Sequence, residues 1–167
     1  FDNGMQASIG AVTSGACKSF AGAAQADGVF TLTPSASAAE VIDTGDMIFR
    51  VCFGDPQQGT IAAHELTKNY RKIGVIYDTS DTYSDGIFKA FEAEMQTLGK
   101  GFVKTSFTKD SNTNFSAQIT KLKGEGCDVL FLPIYYTQAG LIAKEAAKQG
   151  YNVTIFGCDG LDTIESQ

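Results

Sequence analysis

The stretch "KIGVIYDTSDTYSDGIFKAFEAEMQTLG", residues 72–99, contains one complete strand-and-helix unit. Residues 73–77 form a short apolar run with β-branched members, which is typical of a strand buried on both faces of a sheet. The following residues predict an amphipathic helix over 82–98, because apolar side chains recur at three- and four-residue steps: Ile87, Phe88, Phe91, Met95 and Leu98. Gly99 is a suitable helix end. A buried strand followed by such a helix indicates an α/β fold.

The same alternation extends in both directions along the chain. Further helices are predicted over 114–123, with Asn112 or Asn114 as a cap, and over 137–149, ended by Gly150. The further strand candidates are "ASIGAVT" (7–13), "VFTLT" (29–33), "GFVKTSF" (101–107), "DVLFLPIYY" (128–136) and "VTIFG" (153–157). Strands that alternate with helices predict doubly wound parallel sheets with helices on both faces.

One segment interrupts this rhythm. "MIFRVCFGDPQQGT", residues 47–60, combines a short strand with Gly54, Pro56 and Gly59, and a new helix follows it. Glycine and proline in such a cluster mark a boundary. We therefore expect two lobes, with residues 1–52 as a partial first lobe, 53–60 as the crossing and 61–167 as the second lobe.

Composition excludes several classes of function. The net charge of −6 argues against a nucleic-acid partner, since the densest basic run is only residues 68–72. The phosphate-binding glycine motifs of nucleotide enzymes do not follow any strand candidate, and no cofactor is expected. No apolar run reaches the length of about 18 residues that a membrane helix needs. The start "FDNGMQASIG" also lacks the order of a signal peptide.

The cysteines do not predict a metal site. Four cysteines lie far apart in the sequence, and His64 is the single histidine, so these residues form no zinc-binding pattern. Their apolar settings favour a role as small buried residues, although their spacing leaves disulfides open.

Polar residues collect directly after the strand candidates. Ligands of open parallel sheets bind beyond the carboxyl ends of the strands. Ser14 and residues 35–37 each precede a helix, where free N–H groups and short hydroxyls suit a carboxylate. Asp159 suits an ammonium group, and a ligand with both groups is an α-amino acid. Tyrosines at positions 83, 135 and 136 can pack on its side chain.

Each of these residues also has an ordinary structural explanation. A serine after a strand is commonly a helix cap, Asp159-Gly160 is commonly a turn, and paired tyrosines commonly serve packing. Recurrence at five strand ends is what favours a binding site. A hydrolase using Cys158 or Ser14 would need a base, and His64 lies in a helix pattern where an exposed position is expected.

Several segments, in this order, resemble the extracytoplasmic amino-acid-binding proteins of ABC transporters, of the leucine/isoleucine/valine type. The segments are "GAVTSGA", "LTPSAS", "FRVCFGDPQQG", residues 72–99, "NFSAQITKLKGEGCDVLFLPIYYTQAG" and "IFGCDGLD". The resemblance implies a periplasmic-binding-protein-like type I fold, in which two lobes close on a ligand. It also implies roles for six residues: Ser14, Ala36 and Ser37 at the ligand carboxylate, Tyr83 and Tyr135 as second-lobe contacts, and Asp159 at the ammonium.

The resemblance also implies partners and a location. Members of this family deliver a small ligand, here a branched-chain or other apolar amino acid, to a membrane permease outside the cytoplasm, from the periplasm or as a surface lipoprotein. They are not enzymes, and a sensing receptor on the same fold is the alternative. Because they are about twice as long, the chain is expected to be an internal fragment, with both lobes incomplete and any export signal upstream of Phe1.

Overall fold

The computed structural model describes residues 3–162 and residue 164. Strands and helices alternate along the chain: β1 (Ala7–Ile9), α1 (Ser14–Ala26), β2 (Phe30–Thr33), α2 (Ala39–Ile42), β3 (Ile48–Arg50), α3 (Asp55–Asn69), β4 (Ile73–Asp78), α4 (Thr82–Thr97), β5 (Val103–Phe107), α5 (Ser116–Gly124), β6 (Val129–Leu132), α6 (Tyr136–Lys148) and β7 (Thr154–Gly157). Short 3₁₀ helices span Lys109–Ser111 and Asp159–Leu161. The strands form two parallel sheets, in the orders β1-β2-β3 and β5-β4-β6-β7. The predicted α/β class with parallel sheets is confirmed.

The second sheet is covered on both faces. Val75 and Phe131 pack with α3 and α4 on one face, whereas Ile76 and Leu130 pack with α5 and α6 on the other. This arrangement follows from the strand order, because the chain leaves β4 in one direction and returns past it to β6. The carboxyl ends of β4 and β6 therefore meet where the direction reverses, which is the usual ligand position in such sheets.

The first sheet has helices on one face in the described part of the chain. Helices α1 and α2 bury Cys17, Val41 and Ile48 against it. The opposite face exposes Phe30 and Phe49, whose rings stack with centroids 5.3 Å apart. Its strands follow chain order, so two right-handed crossovers both lie on the same side. The second sheet therefore has helices on both faces, and the described helices of the first sheet cover one face, which agrees with the expected incomplete first lobe.

The predicted helix ends agree closely with the structure. Helix α4 begins after Asp81, whose Oδ1 accepts a hydrogen bond from the Ser84 N–H over 3.0 Å, and Gly99 follows it with a φ of 62°. At the start of α5, Asn114 Oδ1 accepts from the Ser116 N–H over 3.0 Å, while Phe115 occupies the cap position. No helix of the described residues has both the length and the apolarity needed to cross a membrane.

The chain passes from the first sheet to the second through residues 51–54, and α3 begins at Asp55. Most of the stretch 53–60 is therefore helical. Gly59 lies inside α3 and against α4, where an added Cβ would be 2.6 Å from the Ile87 carbonyl oxygen and 2.7 Å from the Phe91 nitrogen. The lack of a side chain at Gly59 allows the two helices to approach closely.

Candidate functional site

A cavity of about 440 Å³ lies between the carboxyl ends of the two sheets. Its walls come from the residues after β1 and β2 on one side, and from α4 and the residues after β6 and β7 on the other. The lining residues are Val12, Thr13, Ser14, Ser35, Tyr83, Tyr135, Tyr136, Asp159, Gly160 and Asp162. Four of the six predicted site residues therefore share one cavity: Ser14, Tyr83, Tyr135 and Asp159.

The first-sheet wall presents the N-terminus of α1. Thr13 occupies the cap position with extended backbone angles, and its side chain makes no capping hydrogen bond. Ser14 is the first helical residue, and its Oγ accepts a hydrogen bond from the Ala38 N–H over 3.1 Å. The Ser14 hydroxyl hydrogen can still be donated to a ligand. Uncapped N–H groups and the positive end of the helix dipole favour an anion at this wall.

The hydroxyls at the end of β2 join the first two strands. Thr33 Oγ1 donates to the Ala11 carbonyl over 2.7 Å, and Ser35 Oγ donates to the Val12 carbonyl over 2.8 Å. Ser35 lines the cavity, whereas Ala36 and Ser37 are not among its lining residues, although they are about as deeply buried as Ser14, which is. The buried strand thus ends on hydroxyls because they hold the loop after β2 against the loop after β1.

Tyr83 and Asp159 form the opposite wall. The Tyr83 hydroxyl donates to Asp159 Oδ1 over 2.7 Å and accepts from the Gly160 N–H over 2.8 Å. Burial raises the pKa of Tyr83, so its phenol stays protonated and acts as a donor. Asp159 itself is exposed. Its second carboxylate oxygen can therefore accept a hydrogen bond from a ligand.

Tyr135 connects the two walls. Its ring stacks on Tyr83 with centroids 4.8 Å apart. Burial raises the pKa of Tyr135, and the Ser14 backbone N–H acts in the opposite direction. Tyr135 also lines a neighbouring cavity of about 430 Å³ at the ends of β4 and β6, which includes Asp81 and Ile134. The two cavities thus share an aromatic wall.

The residues needed for a hydrolase are not assembled here. Burial raises the pKa of the Cys158 thiol, which disfavours the reactive thiolate. His64 Nε2 lies 3.0 Å from Glu94 Oε1, and neither residue lines the cavity. Within the part of the chain that the structure describes, no group of three or more His, Cys, Asp and Glu side chains could hold a metal ion.

The sequence did not indicate Asp55, the buried first residue of α3. It stands in the glycine- and proline-rich boundary, where an acid is most simply explained as a helix N-terminal residue. Nor did it indicate Val12, Gly160 and Asp162 as lining residues. Gly160 lies three residues beyond a predicted strand end, whereas Val12 lies inside a strand candidate and Asp162 lies five residues beyond one.

A profile of the family described as "Periplasmic binding protein" matches residues 1–165 of the chain. The chain belongs to the periplasmic binding protein family.

Curated relatives in this family bear the names of amino-acid-binding proteins. The chain is 30% identical over 166 residues to the Leu/Ile/Val-binding protein BraC3 of Rhizobium johnstonii, covering 98% of this chain and 45% of the relative. It is 26% identical over 167 residues to the leucine-, isoleucine-, valine-, threonine- and alanine-binding protein of Pseudomonas aeruginosa, covering 98% and 44%. The chain therefore spans less than half the length of these relatives.

Solved structures of periplasmic binding proteins match the fold closely. The leucine binding protein LivK from Thermotoga maritima aligns with a TM-score of 0.88 and 29% identity over 94% of this chain and 45% of that one. The substrate binding protein LivJ from Streptococcus pneumoniae, in complex with isoleucine, aligns with a TM-score of 0.85 and 31% identity over 95% and 45%. The resemblance to the Leu/Ile/Val-binding type is confirmed by these matches.

Replacement of Tyr83 by Phe tests the hydrogen bonds of the wall formed by Tyr83 and Asp159. Tyr83→Phe removes the donor to Asp159 and the acceptor for the Gly160 N–H while leaving the stacked ring. We expect a loss of about 1–2 kcal/mol in the free energy of unfolding, because two hydrogen bonds are lost and the partly buried Gly160 N–H is left without its acceptor. Chemical denaturation measures this loss. Tyr136→Phe is the control, since Tyr136 is exposed at the same cavity, and an equal loss in both variants would contradict the expectation.

Proposed function

We propose that the protein binds a small amino acid between its two sheets and delivers it to an ABC transporter. The observation that supports this most strongly is the pairing of two unlike walls across one cavity. The N-terminus of α1 and the Ser14 hydroxyl suit a carboxylate, whereas Asp159, held by Tyr83, suits an ammonium group.

The ligand is positioned in this proposal by its two charged ends. Its α-carboxylate accepts from the N–H groups of the first turn of α1 that follow Ser14 and from the Ser14 hydroxyl, and its α-ammonium group donates to Asp159. Ser35 adds a polar contact beside Ser14. The resemblance assigns Ala36 and Ser37 to the ligand carboxylate. Both residues are buried, so their role in this proposal is to support the loop after β2.

We infer that the ligand side chain is apolar, with branched-chain amino acids as the first candidates. The stacked rings of Tyr83 and Tyr135 offer a flat apolar surface beside the cavity. The names of the relatives from Rhizobium johnstonii and Pseudomonas aeruginosa agree, since both mention leucine, isoleucine and valine. The contacts to the carboxylate and the ammonium group suit any α-amino acid. The aromatic wall is therefore the feature that selects an apolar side chain.

The proposed organisation is that of a two-lobed binding protein. Residues 1–52 contribute to the first lobe, residues 53–60 contain the end of the crossing and the start of α3, and residues 61–167 contribute to the second lobe. Closure of these lobes would bury the ligand and present a surface to the membrane permease. The proposed location is outside the cytoplasm, in the periplasm or on the cell surface.

A sensing receptor is the second candidate. It would use the same ligand site, because that site is independent of the partner that recognises the ligand-bound protein. An enzyme is disfavoured by the raised pKa of the Cys158 thiol and because His64 is not among the residues that line the cavity.

Calorimetric titration of the full-length protein with the twenty amino acids tests the proposal. We expect saturable binding of one equivalent of leucine, isoleucine or valine, and weaker heats for the charged amino acids. Leucinamide and 4-methylpentanoic acid serve as matched controls, since the first lacks the carboxylate and the second lacks the ammonium group. Equal affinity for leucine and either control would contradict binding by both charged ends.

A further inference from the structure

Two buried side-chain oxygens lack a hydrogen-bond partner within the described residues, Ser37 Oγ and Asp55 Oδ2. Both residues are 1% exposed. They belong to different parts of the fold, since Ser37 follows β2 of the first sheet and Asp55 begins α3 beside the second sheet. Buried polar atoms are normally paired, so two such atoms beside a candidate ligand site call for a functional explanation.

The two residues lie against each other at the junction of the sheets. The Asp55 N–H donates to the Ser37 carbonyl over 3.0 Å. Asp55 Oδ1 accepts from Gln58 Nε2 over 3.4 Å, which leaves Oδ2 for another partner. Across the carboxyl group, an added Cβ at Gly86 of α4 would come within 3.2 Å of Asp55 Oδ2. The carboxyl group therefore sits between the loop after β2 and the helix pair α3 and α4.

Charge around Asp55 is poorly balanced. Arg50 Nη1 donates to the carbonyl oxygens of Ser37 and Ala38, over 2.7 and 2.9 Å, and so holds the same loop instead of pairing with the carboxylate. Burial raises the pKa of Asp55 to about 7, and the Ser37 hydroxyl acts in the opposite direction. The charged or titratable groups that face Asp55 are Glu40, Arg50, Cys52, Tyr135, Cys158 and Asp159.

We propose that Asp55 is a positioning residue which, when protonated, fixes the loop of residues 34–38 for ligand binding by donating a hydrogen bond to Ser37 Oγ. Ionised Asp55 can only accept hydrogen bonds. It would then accept from the Ser37 hydroxyl and place a buried negative charge behind the loop that faces the ligand carboxylate, so the anion is repelled. This inference rests on the proposed function, because that function places the ligand carboxylate in front of the loop.

The predicted sign follows from proton linkage. Because ligand binding favours protonated Asp55, affinity is greatest below the folded-state pKa of about 7 and falls as the pH rises through it. At pH 8, a group with a pKa of about 7 is only about one-tenth protonated, so the affinity for leucine is expected to be about tenfold lower than at pH 5.5.

Asp55→Asn in the full-length protein tests the inference. Asparagine keeps the shape and can donate to Ser37 Oγ at every pH. We expect this variant to lose the tenfold change in leucine affinity between pH 5.5 and pH 8, while Asp27→Asn, at the exposed end of α1, keeps it. An unchanged pH profile in Asp55→Asn would overturn the inference, and so would an affinity that rises with pH, since it would put the ligand ammonium group against Asp55.

A measurement without ligand separates this inference from the proposed function. The raised pKa means that folding favours protonated Asp55, so the free energy of unfolding should fall as the pH rises from about 4 to about 7. Asp55→Asn should show a smaller fall than Asp27→Asn in denaturant titrations. Equal falls would overturn the inference even if leucine binds, whereas a failure of leucine to bind at any pH would refute the proposed function alone.

Discussion

Replacing Asp159 by Asn in the full-length protein should weaken leucine binding about tenfold to a hundredfold. The proposed contact is a charge-assisted hydrogen bond from the ligand ammonium group, and such a bond contributes about 1.5–3 kcal/mol. Asparagine keeps the size of the side chain and an oxygen that can accept from the Tyr83 hydroxyl, so the change isolates the charge. Calorimetry gives the ratio of the two dissociation constants.

Asp162→Asn is the matched control for this prediction. Asp162 carries the same charge and lines the same cavity, but it makes no hydrogen bond to Tyr83. If Asp159 acted only through the negative electrostatic potential of the cavity, both variants would bind leucine more weakly by the same factor. If the two variants bind leucine with equal affinity, Asp159 is a turn residue and the ammonium site lies elsewhere.

Gly59→Ala should reduce the free energy of unfolding by about 1–3 kcal/mol, as expected for overpacking at a helix contact. An added Cβ would meet the Ile87 carbonyl oxygen at 2.6 Å and the Ala90 Cβ at 2.7 Å. The backbone contact cannot be relieved by a side-chain rotation, so α3 must move away from α4. Chemical denaturation of the variant measures the loss.

Gly22→Ala provides the control for the helix contact. Gly22 lies inside α1, and nothing lies within 4 Å of an added Cβ. Alanine there should stabilise the protein by about 0.5–1 kcal/mol through the lower entropy of its unfolded state. A gain in both variants would mean that α3 and α4 do not approach closely at Gly59.

The strands and helices could be predicted from local patterns alone. Helix α4 agrees within one residue with the predicted span of 82–98, because its apolar stripe and its Gly99 stop are both local signals. The strand order could not be predicted in this way. The separate sheets β1-β2-β3 and β5-β4-β6-β7 depend on pairings between distant residues, which leave no local pattern.

The candidate site could be predicted in part for the same reason. Tyr83 and Asp159 are 76 residues apart, and only the shared rule about strand carboxyl ends suggested that they meet. The loop after β2 was harder, because Ser35 and Ser37 are chemically alike in the sequence. Their backbone places Ser35 at the cavity and Ser37 against Asp55, and that choice depends on hydrogen bonds to the Val12 carbonyl and from the Asp55 N–H.

The burial of Asp55 could not be predicted from its position in the sequence. An acid at the first turn of a helix normally lies in solvent and stabilises the helix dipole. Here the close packing of α3 on α4, with glycines at positions 59 and 86, encloses the carboxyl group. Burial of this kind is a property of two helices together and has no counterpart in the sequence near residue 55.

A crystal structure of the full-length protein with bound leucine would test the central claim most directly. The account predicts that the ligand ammonium nitrogen lies within about 3 Å of an Asp159 carboxylate oxygen, a normal hydrogen-bond distance. It also predicts that the ligand carboxylate accepts from the N-terminus of α1 and from the Ser14 hydroxyl. Leucine bound in the opposite orientation, or outside the cavity between the two sheets, would contradict the account.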